Sequence, residues 1–403
     1  VVEQGLFYAY GGSTVSDVVF VAVIVVAFLL QRPPAGRPEE AEETSWSLVQ
    51  EERPLAAWLA RRPPVRLARV AGALGLAGLA VGVPALLSDS QLFIASDVVI
   101  YAVVAVSLVV LTGWSGQVSL GQLGLAALGA AVAGRLSADA GADFLVSMLA
   151  AGGAGAAAAT LLGAAALRIK GFFFAVTSLG FAVAVDTFFL NAQFFSFLLP
   201  VNRPERPVLF DRFDLGGELA FYLFCAAVLA LVVVGVATLR RTRTGRVLIA
   251  VRDNDAAARA FGVSRARAQL LAFVISGFIA GLAGSLFAVH DHAVSPSAFS
   301  PEASLALFSM VVVGGLGSLP GAIAGAVVVE SAVYLLPPQW SPLATGAGLV
   351  GVLLVAPGGL GRAGFWARDR LAAWLARRHG WAEPAPAPPA GLAGLASVPG
   401  ATS

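Results

Sequence analysis

The sequence predicts an all-α polytopic membrane protein, with about ten transmembrane or half-spanning helices plus one extra N-terminal helix. Three observations carry this. The chain is 58% hydrophobic and only 12% charged, whereas an ordinary soluble domain is about 25% charged. Its mean hydropathy is +0.82. Apolar runs, several of them about 20 residues long, recur along the chain, and that length crosses ~30 Å of hydrocarbon as a helix. Backbone polar groups in lipid must be satisfied within the segment, which for these runs means helices.

The runs fall at 15–31, 67–87, 92–112, 119–136, 143–167, 172–190, 219–239, 269–289, 303–316, 321–336 and 343–357. The last three are shorter and glycine-rich, and read as broken or tilted segments. Arginines cluster at Arg32 to Arg69, at Arg168 with Lys170, at Arg240 to Arg267, and at Arg362 to Arg378. By the positive-inside rule these stretches face the cytosol. Alternation across eleven crossings then places the first residues outside and the C-terminus inside.

The domain organisation follows from composition. Residues 1–36 end in an apolar helix with a Pro33-Pro34 stop, echoing Pro357-Gly358-Gly359 after the last span. They read as the remnant of an upstream membrane domain. Residues 37–66 are charged and proline-rich, a cytosolic linker. Residues 67–365 form the main membrane domain. Residues 366–383 alternate apolar and basic side chains at helical spacing, as an interfacial helix does. Residues 384–403 are an Ala/Pro/Gly tail expected to be disordered. The abundance of Ala, Gly and Arg, against the single Lys170, fits a GC-rich bacterial genome.

Several function classes are excluded. Cys225 is the only cysteine, which leaves no disulfide and no thiolate metal site. His290-Asp291-His292 has ligand residue types, but adjacent positions make a poor tetrahedral set, so no metal is assigned. Lys170 follows Ile169, so no GxxxxGK[ST] phosphate loop exists here. No nucleophile–base pair or carboxylate dyad is recognisable, and the chain is not read as an enzyme.

The segment Arg240 to Gln269 (RRTRTGRVLIAVRDNDAAARAFGVSRARAQ) holds eight arginines, no lysine, and only Asp253 and Asp255 as acids. It cannot lie in hydrocarbon. Within it Asp255 to Gly262 reads as a short polar helix stopped by glycine. Small residues on such a helix let a partner approach closely, so Arg246, Arg252, Asp255, Ala256, Ala257, Ala258, Arg259 and Gly262 are the candidate docking residues. The plainer reading is an ordinary basic loop.

Two glycine clusters interrupt the apolar runs. In Thr112 to Gly124 (TGWSGQVSLGQLG), Gly113 and Gly116 permit a break and Ser119 is placed to cap the next helix. Helix N-termini at membrane depth carry partial positive charge useful toward a carboxylate. A tight turn of small residues for helix packing is the alternative. In Val313 to Gly321 (VGGLGSLPG), glycines at 314, 315, 317 and 321 with Pro320 rule out regular helix. That stretch is either a hinge lining a pathway or a tight loop between two packed helices. The candidate pathway or hinge residues are Gly113, Gly116, Ser119, Gly121, Gln122, Gly314, Gly315, Gly317 and Gly321, together with Asp186. Intramembrane acids are functional suspects by default, and Asp186 could meet the amino group of a zwitterion; a solvated or helix-paired Asp toward the outer end of its span is the plainer reading, and Glu330 is a weaker second.

Four stretches together resemble a known family. RTRTGRVLIAVRDNDAAARAFGVSRARAQLLAFVISGFIAGLAGSLFA is similar to the coupling loop and next helix of branched-chain amino acid ABC transporter permeases of the LivM type. GWSGQVSLGQLGLAALGAAVAG, LRIKGFFFAVTSLGFAVAV and MVVVGGLGSLPGAIAGA resemble their other signature stretches, in the same order. The resemblance covers residues 67–365. Residues 1–36 resemble the C-terminal end of a LivH-type permease, as in a truncated LivH–LivM fusion. The family implies ABC importer permease architecture, two cytosolic ATPase subunits that carry ATP and Mg, an extracytoplasmic solute-binding protein, a second permease domain and a bacterial inner membrane. The substrate implied is a branched-chain or related amino acid, with urea or another small polar solute as the alternative. An ion-coupled secondary transporter is a separate reading, and it requires paired intramembrane acids.

Two departures stand out. The family's early motif commonly has Gly-His where this chain has Gly121-Gln122. The wider importer motif has Glu-Ala-Ala where this chain has Ala256-Ala257-Ala258, with Asp255 one place earlier.

Overall fold

A computed structural model describes residues 62–167, 172–209, 212–335, 346 and 359–379. The apolar runs at 15–31 and 343–357, the N-terminal segment, most of the linker, Arg168 with Lys170, and the C-terminal tail lie outside the described residues. The described residues fall into two packed units, one within 79–364 and the other made of 62–78 with 365–379.

The described residues are built of helices. Helix α1 (Pro63–Gly82) comes first, most of it in the second unit. Helix α2 (Asp89–Leu108) continues as a π-helical turn over Val109–Trp114. Helix α3 (Gln122–Gly134) ends in a second π-turn, Arg135–Asp139, and α4 (Phe144–Ala166) follows. Helix α5 (Phe172–Ala184) ends in a third, Val185–Phe189, before the short α6 (Ala192–Phe195). A two-residue antiparallel ribbon pairs β1 (Val208–Leu209) with β2 (Phe213–Asp214). Then come α7 (Glu218–Arg241), α8 (Arg243–Asp253), α9 (Asp255–Ala260), α10 (Arg265–His290), α11 (Pro301–Gly314), α12 (Leu319–Leu335) and α13 (Gly359–Arg378). Most of α13 also belongs to the second unit, and the other helices to the first.

Among the described residues, four segments are long and apolar enough to cross a membrane: Asp89–Trp114, Phe144–Ala166, Glu218–Arg241 and Arg265–His290. Helices α11 and α12 are shorter, as the glycine-rich runs predict. The fold class is the expected one, an all-α polytopic membrane protein.

The core of the first unit is the crossing of α10 with α3 and α4, and it is made by backbone. On α10, Gly277, Gly281 and Gly284 share a side. A Cβ at Gly277 would strike the carbonyl of Gly155, one at Gly281 the carbonyl of Ala151, and one at Gly284 the carbonyl of Ala126. Gly129 meets Gly281 from α3. Lipid tails are as apolar as leucine, so helices in a membrane associate through close packing rather than water exclusion. Glycine at these positions brings the helix axes together. This stripe was not among the sequence-derived candidates, although Gly277-x-x-x-Gly281 is a recognisable close-packing spacing.

Candidate functional site: a coupling end and an acidic end

One end of the unit carries the 242–264 loop. Three polar side chains punctuate it. Thr242 caps α8, accepting from Gly245 N at 3.4 Å. Asn254 caps α9, accepting from Ala257 N at 2.8 Å. Ser264 caps α10, accepting from Arg267 N at 3.5 Å. Each satisfies a backbone donor that a helix start leaves open. The expected polar helix is therefore real, spanning Asp255–Ala260. Gly262 follows it at φ 77°, a conformation that suits glycine.

The loop has an inner and an outer side. Leu248, Val251 and Ala258 are buried, while Ala256, Ala257, Arg259 and Ala260 are exposed. Phe261 is 88% exposed at the tip. Asp255 is bound from within the loop, by Arg265 at 3.1 Å and Arg259 at 3.5 Å. Arg246 donates to the carbonyl of Arg241 at 3.1 Å. Phe261 was passed over in the sequence, where it reads as one letter of an alanine-rich helix. Its signal was its place immediately before the stop glycine.

Arg252 reaches out of the loop. Its guanidinium donates to the backbone carbonyl of Gly113, in the π-turn that ends α2. Asp253 holds the same guanidinium through Oδ1, 2.7 Å from Nε. The aliphatic part of Arg252 fills the space beside Gly116, where a Cβ would lie 3.0 Å from Cγ. Gly113 in turn rests on the carbonyl of Leu316, in the break between α11 and α12, again with no room for a Cβ. The loop, the first glycine cluster and the second thus meet at one place. Sequence separation hid this, since Arg252 and Gly113 are 139 residues apart.

The π-turn is held open locally. Ser115 Oγ donates to Leu111 O at 2.8 Å, and Gln117 N to the same carbonyl at 3.2 Å. Such turns frequently mark functional sites within helices. The chain then crosses Gly116, at φ 71°, and runs irregularly to Gly121. Helix α3 begins at Gln122 with Gly121 as its N-cap, which corrects the expectation that Ser119 caps it. Ser119 Oγ instead accepts from Gly121 N at 3.3 Å, and two more residues are spent in the break before the helix starts. Gln122 is 1% exposed. Its amide donates to Ser107 Oγ and Ser276 Oγ, each at 2.7 Å, tying α3 to α2 and α10. The second cluster resolves as helix α11 ending at Gly314, Gly315 at φ 107°, and α12 starting at Leu319. Gly314 and Gly321 pack backbone to backbone, and Gly317 is half-buried.

The opposite end of α2 has different chemistry. Asp97 lies 16 residues before Gly113, about 24 Å along a helix. Asp97 and Glu330 of α12 are each 7% exposed. Tyr334 Oη donates to Asp97 Oδ2 at 2.7 Å, and Glu330 stands one turn earlier on the same helix. Asp97 acts on Glu330 electrostatically, and Asp291 acts on Asp97. Phe93, Asp97 and Tyr101 occupy successive turns of α2. The Phe93 ring stacks on His290 at 4.0 Å, and Tyr101 meets Phe287 edge-on at 5.2 Å. His290 is 1% exposed, also stacked on Phe221 at 5.8 Å, and neither ring nitrogen has a partner. Asp186 sits in the π-turn after α5, half-exposed and facing Glu302 electrostatically rather than this pair. Asp97 was missed in the sequence because it is one acid within an apolar run. Its only signal was its spacing from Phe93 and Tyr101.

The family described as branched-chain amino acid transport system, permease component, matches residues 90–357. The chain belongs to that family. It is similar to the high-affinity branched-chain amino acid transport system permease protein LivM of Salmonella typhimurium, 30% identical over 71% of this chain and 73% of the relative. The Escherichia coli LivM is equally similar, at 30% over 70% of this chain and 72% of the relative. An autoinducer 2 import system permease protein LsrC of an Enterobacter species is 38% identical, over 32% of this chain and 40% of the relative. No solved structure matches the chain. The permease is a transport component of an ABC importer, and its matched region contains both the loop end and the acidic end.

Proposed function

We propose that this permease is the membrane-spanning subunit of an ATP-driven importer for branched-chain or related amino acids, worked from the cytosolic side through helix α9. The observation that carries the reading is the Arg252–Gly113 hydrogen bond. It joins α8, the loop helix directly before the exposed small-residue α9, to the end of a membrane-spanning helix. ATPase subunits dock on Ala256, Ala257 and Phe261. Their closure displaces the loop, and Arg252 pulls the π-turn of α2 against the 314–318 break. A two-state scaffold of this kind converts partner motion into alternate openings. ATP and Mg belong to those subunits. A solute-binding protein delivers the amino acid to the far end, which places the loop and the C-terminus in the cytosol of a bacterial inner membrane. A second permease domain, LivH-like, completes the pathway, and residues 1–36 are read as the end of such a domain.

At the far end Asp97 and Glu330 offer negative charge to the ammonium group, and the rings of Phe93, Tyr101 and Phe287 offer apolar surface to an aliphatic side chain. The same paired acids are what an ion-coupled carrier needs, and this is the observation that favours that second reading. Energy source separates the two. In reconstituted vesicles, uptake that stops on ATP depletion supports the importer; uptake that follows an imposed proton or sodium gradient without ATP supports the carrier. Docking is tested with Asp255→Arg, Ala257→Trp and Gly262→Trp combined. Substrate-stimulated ATPase activity should fall at least tenfold with the helical content intact, and unchanged coupling would overturn the assignment. Ligand binding to the soluble partner names the solute, and urea in place of an amino acid would redirect the substrate assignment.

A further inference from the structure

Helix α13 runs unbroken from Gly359 to Arg378, and within the second unit only one of its sides is packed. Ala372 is buried against Val65 of α1, with Leu375 and Ala376 beside it. On the opposite side lie Trp366, Arg370, Trp374 and Arg378, each four residues from the last and so stacked turn upon turn. The Arg370 guanidinium lies 4.7 Å over the Trp366 ring, and that of Arg378 lies 5.1 Å over the Trp374 ring. Arg377 is exposed alongside. Trp366, Leu371 and Trp374 are exposed by 60%, 51% and 47%. Asp369 is the one carboxylate in the helix sequence, and Arg368 holds it at 2.9 Å. The strip of tryptophan and arginine therefore has no acid of its own.

We propose that this side of α13 binds the anionic phospholipid surface of the bilayer in which the chain resides. The inference needs only membrane residence, and stands apart from the docking of α9. Two exposed tryptophans and a leucine on one side of a helix are costly in water. Indole rings settle at headgroup level, with the ring apolar and the N–H wet. Guanidinium groups pair with phosphate in fork geometry, which favours arginine over lysine here. Charge complementarity selects the occupant: three unshared arginines against an anionic leaflet. The stacked indoles hold two of those guanidiniums, Arg370 and Arg378, in place before the lipid arrives.

The test uses the full chain in nanodiscs carrying brominated phosphatidylglycerol or brominated phosphatidylcholine. Indole quenching attributable to this helix is the difference between the native chain and a Trp366→Phe/Trp374→Phe variant. That difference should be larger with brominated phosphatidylglycerol and should shrink with added salt. In Arg370→Gln/Arg377→Gln/Arg378→Gln the preference should fall by roughly fivefold per arginine, with elution and helical content unchanged. Salt dependence in the native chain gives the same answer if the triple variant fails to fold. Equal quenching by both lipids would overturn the proposal. So would a triple variant that keeps its lipid preference and instead loses affinity for the ATPase subunit.

Discussion

The two ends of helix α2 are held by opposite means. At the loop end, Gly113 offers a backbone carbonyl to Arg252 and has no side chain to offer Leu316. At the far end, Asp97 offers a carboxylate to Tyr334 and stands near a second one on α12. Backbone contacts transmit displacement with little chemical discrimination. Buried charge discriminates strongly and transmits little. Under the function proposed above, one helix presents a mechanical end to a partner and a selective end to a solute, and that proposal requires the stretch between them to be rigid.

The largest effect is expected where that rigidity is made. Gly281→Leu would drive a side chain into the backbone of α4 and should cost roughly 3 kcal/mol or more. Loss of a monodisperse peak in detergent would report it. Gly153→Leu, on α4 where nothing lies within 4 Å of a Cβ, should leave folding unchanged; equal damage at both sites would remove the backbone seam from the account. Next comes the mechanical end. Arg252→Met removes a charge-assisted hydrogen bond and should lower coupled transport by roughly tenfold or more, while ATPase subunits still bind. Arg252→Lys should recover part of it. If Arg252→Met abolished subunit binding instead, Arg252 would belong to the docking surface and not to the link.

The selective end should respond differently. Asp97→Asn keeps an acceptor for Tyr334 but removes the charge, and should raise the solute concentration for half-maximal uptake without uncoupling the ATPase. Tyr334→Phe should do less, a several-fold change for a hydrogen bond worth about 1 kcal/mol. Uncoupling by either would erase the contrast between the ends. The smallest effect is at Asp139, on the surface beyond α3. Backbone N–H groups of Val201 and Asn202 donate to it and hold its carboxylate below the usual value, with Arg135 adding charge. Its folded form takes up a proton less readily than the unfolded chain does. The stabilisation is complete above about pH 4 and is lost as pH falls through the folded value. Hydrogen exchange at 199–203 should therefore quicken only in acid, and Asp139→Asn should flatten that dependence.

What the sequence made legible divides along the same line. Hydropathy located α2, α4, α7 and α10 to within a few residues, because each must match a bilayer by length. Gly262 marked the end of the loop helix α9, because a glycine stop is local chemistry; the caps Thr242, Asn254 and Ser264 were not singled out. The cap of α3 was misplaced by two residues, since Ser119 is as good a cap by residue type as Gly121 is by position. Long-range pairings were invisible: Arg252 with Gly113, and Asp97 with Tyr334. Nothing in local periodicity records which distant backbone a side chain will meet. The glycines of α10 lie between these cases, their spacing visible but their partners not.

The seam of α10 against α3 and α4 has a consequence for movement. Side chains at an interface can change rotamer and let helices slide; a carbonyl resting on a Cα has no second position to adopt. Such a seam favours those three helices moving as a single block. Under the proposed function, opening and closing is then absorbed outside that block, in the π-turn before Ser115 and in the four residues between Gly314 and Leu319.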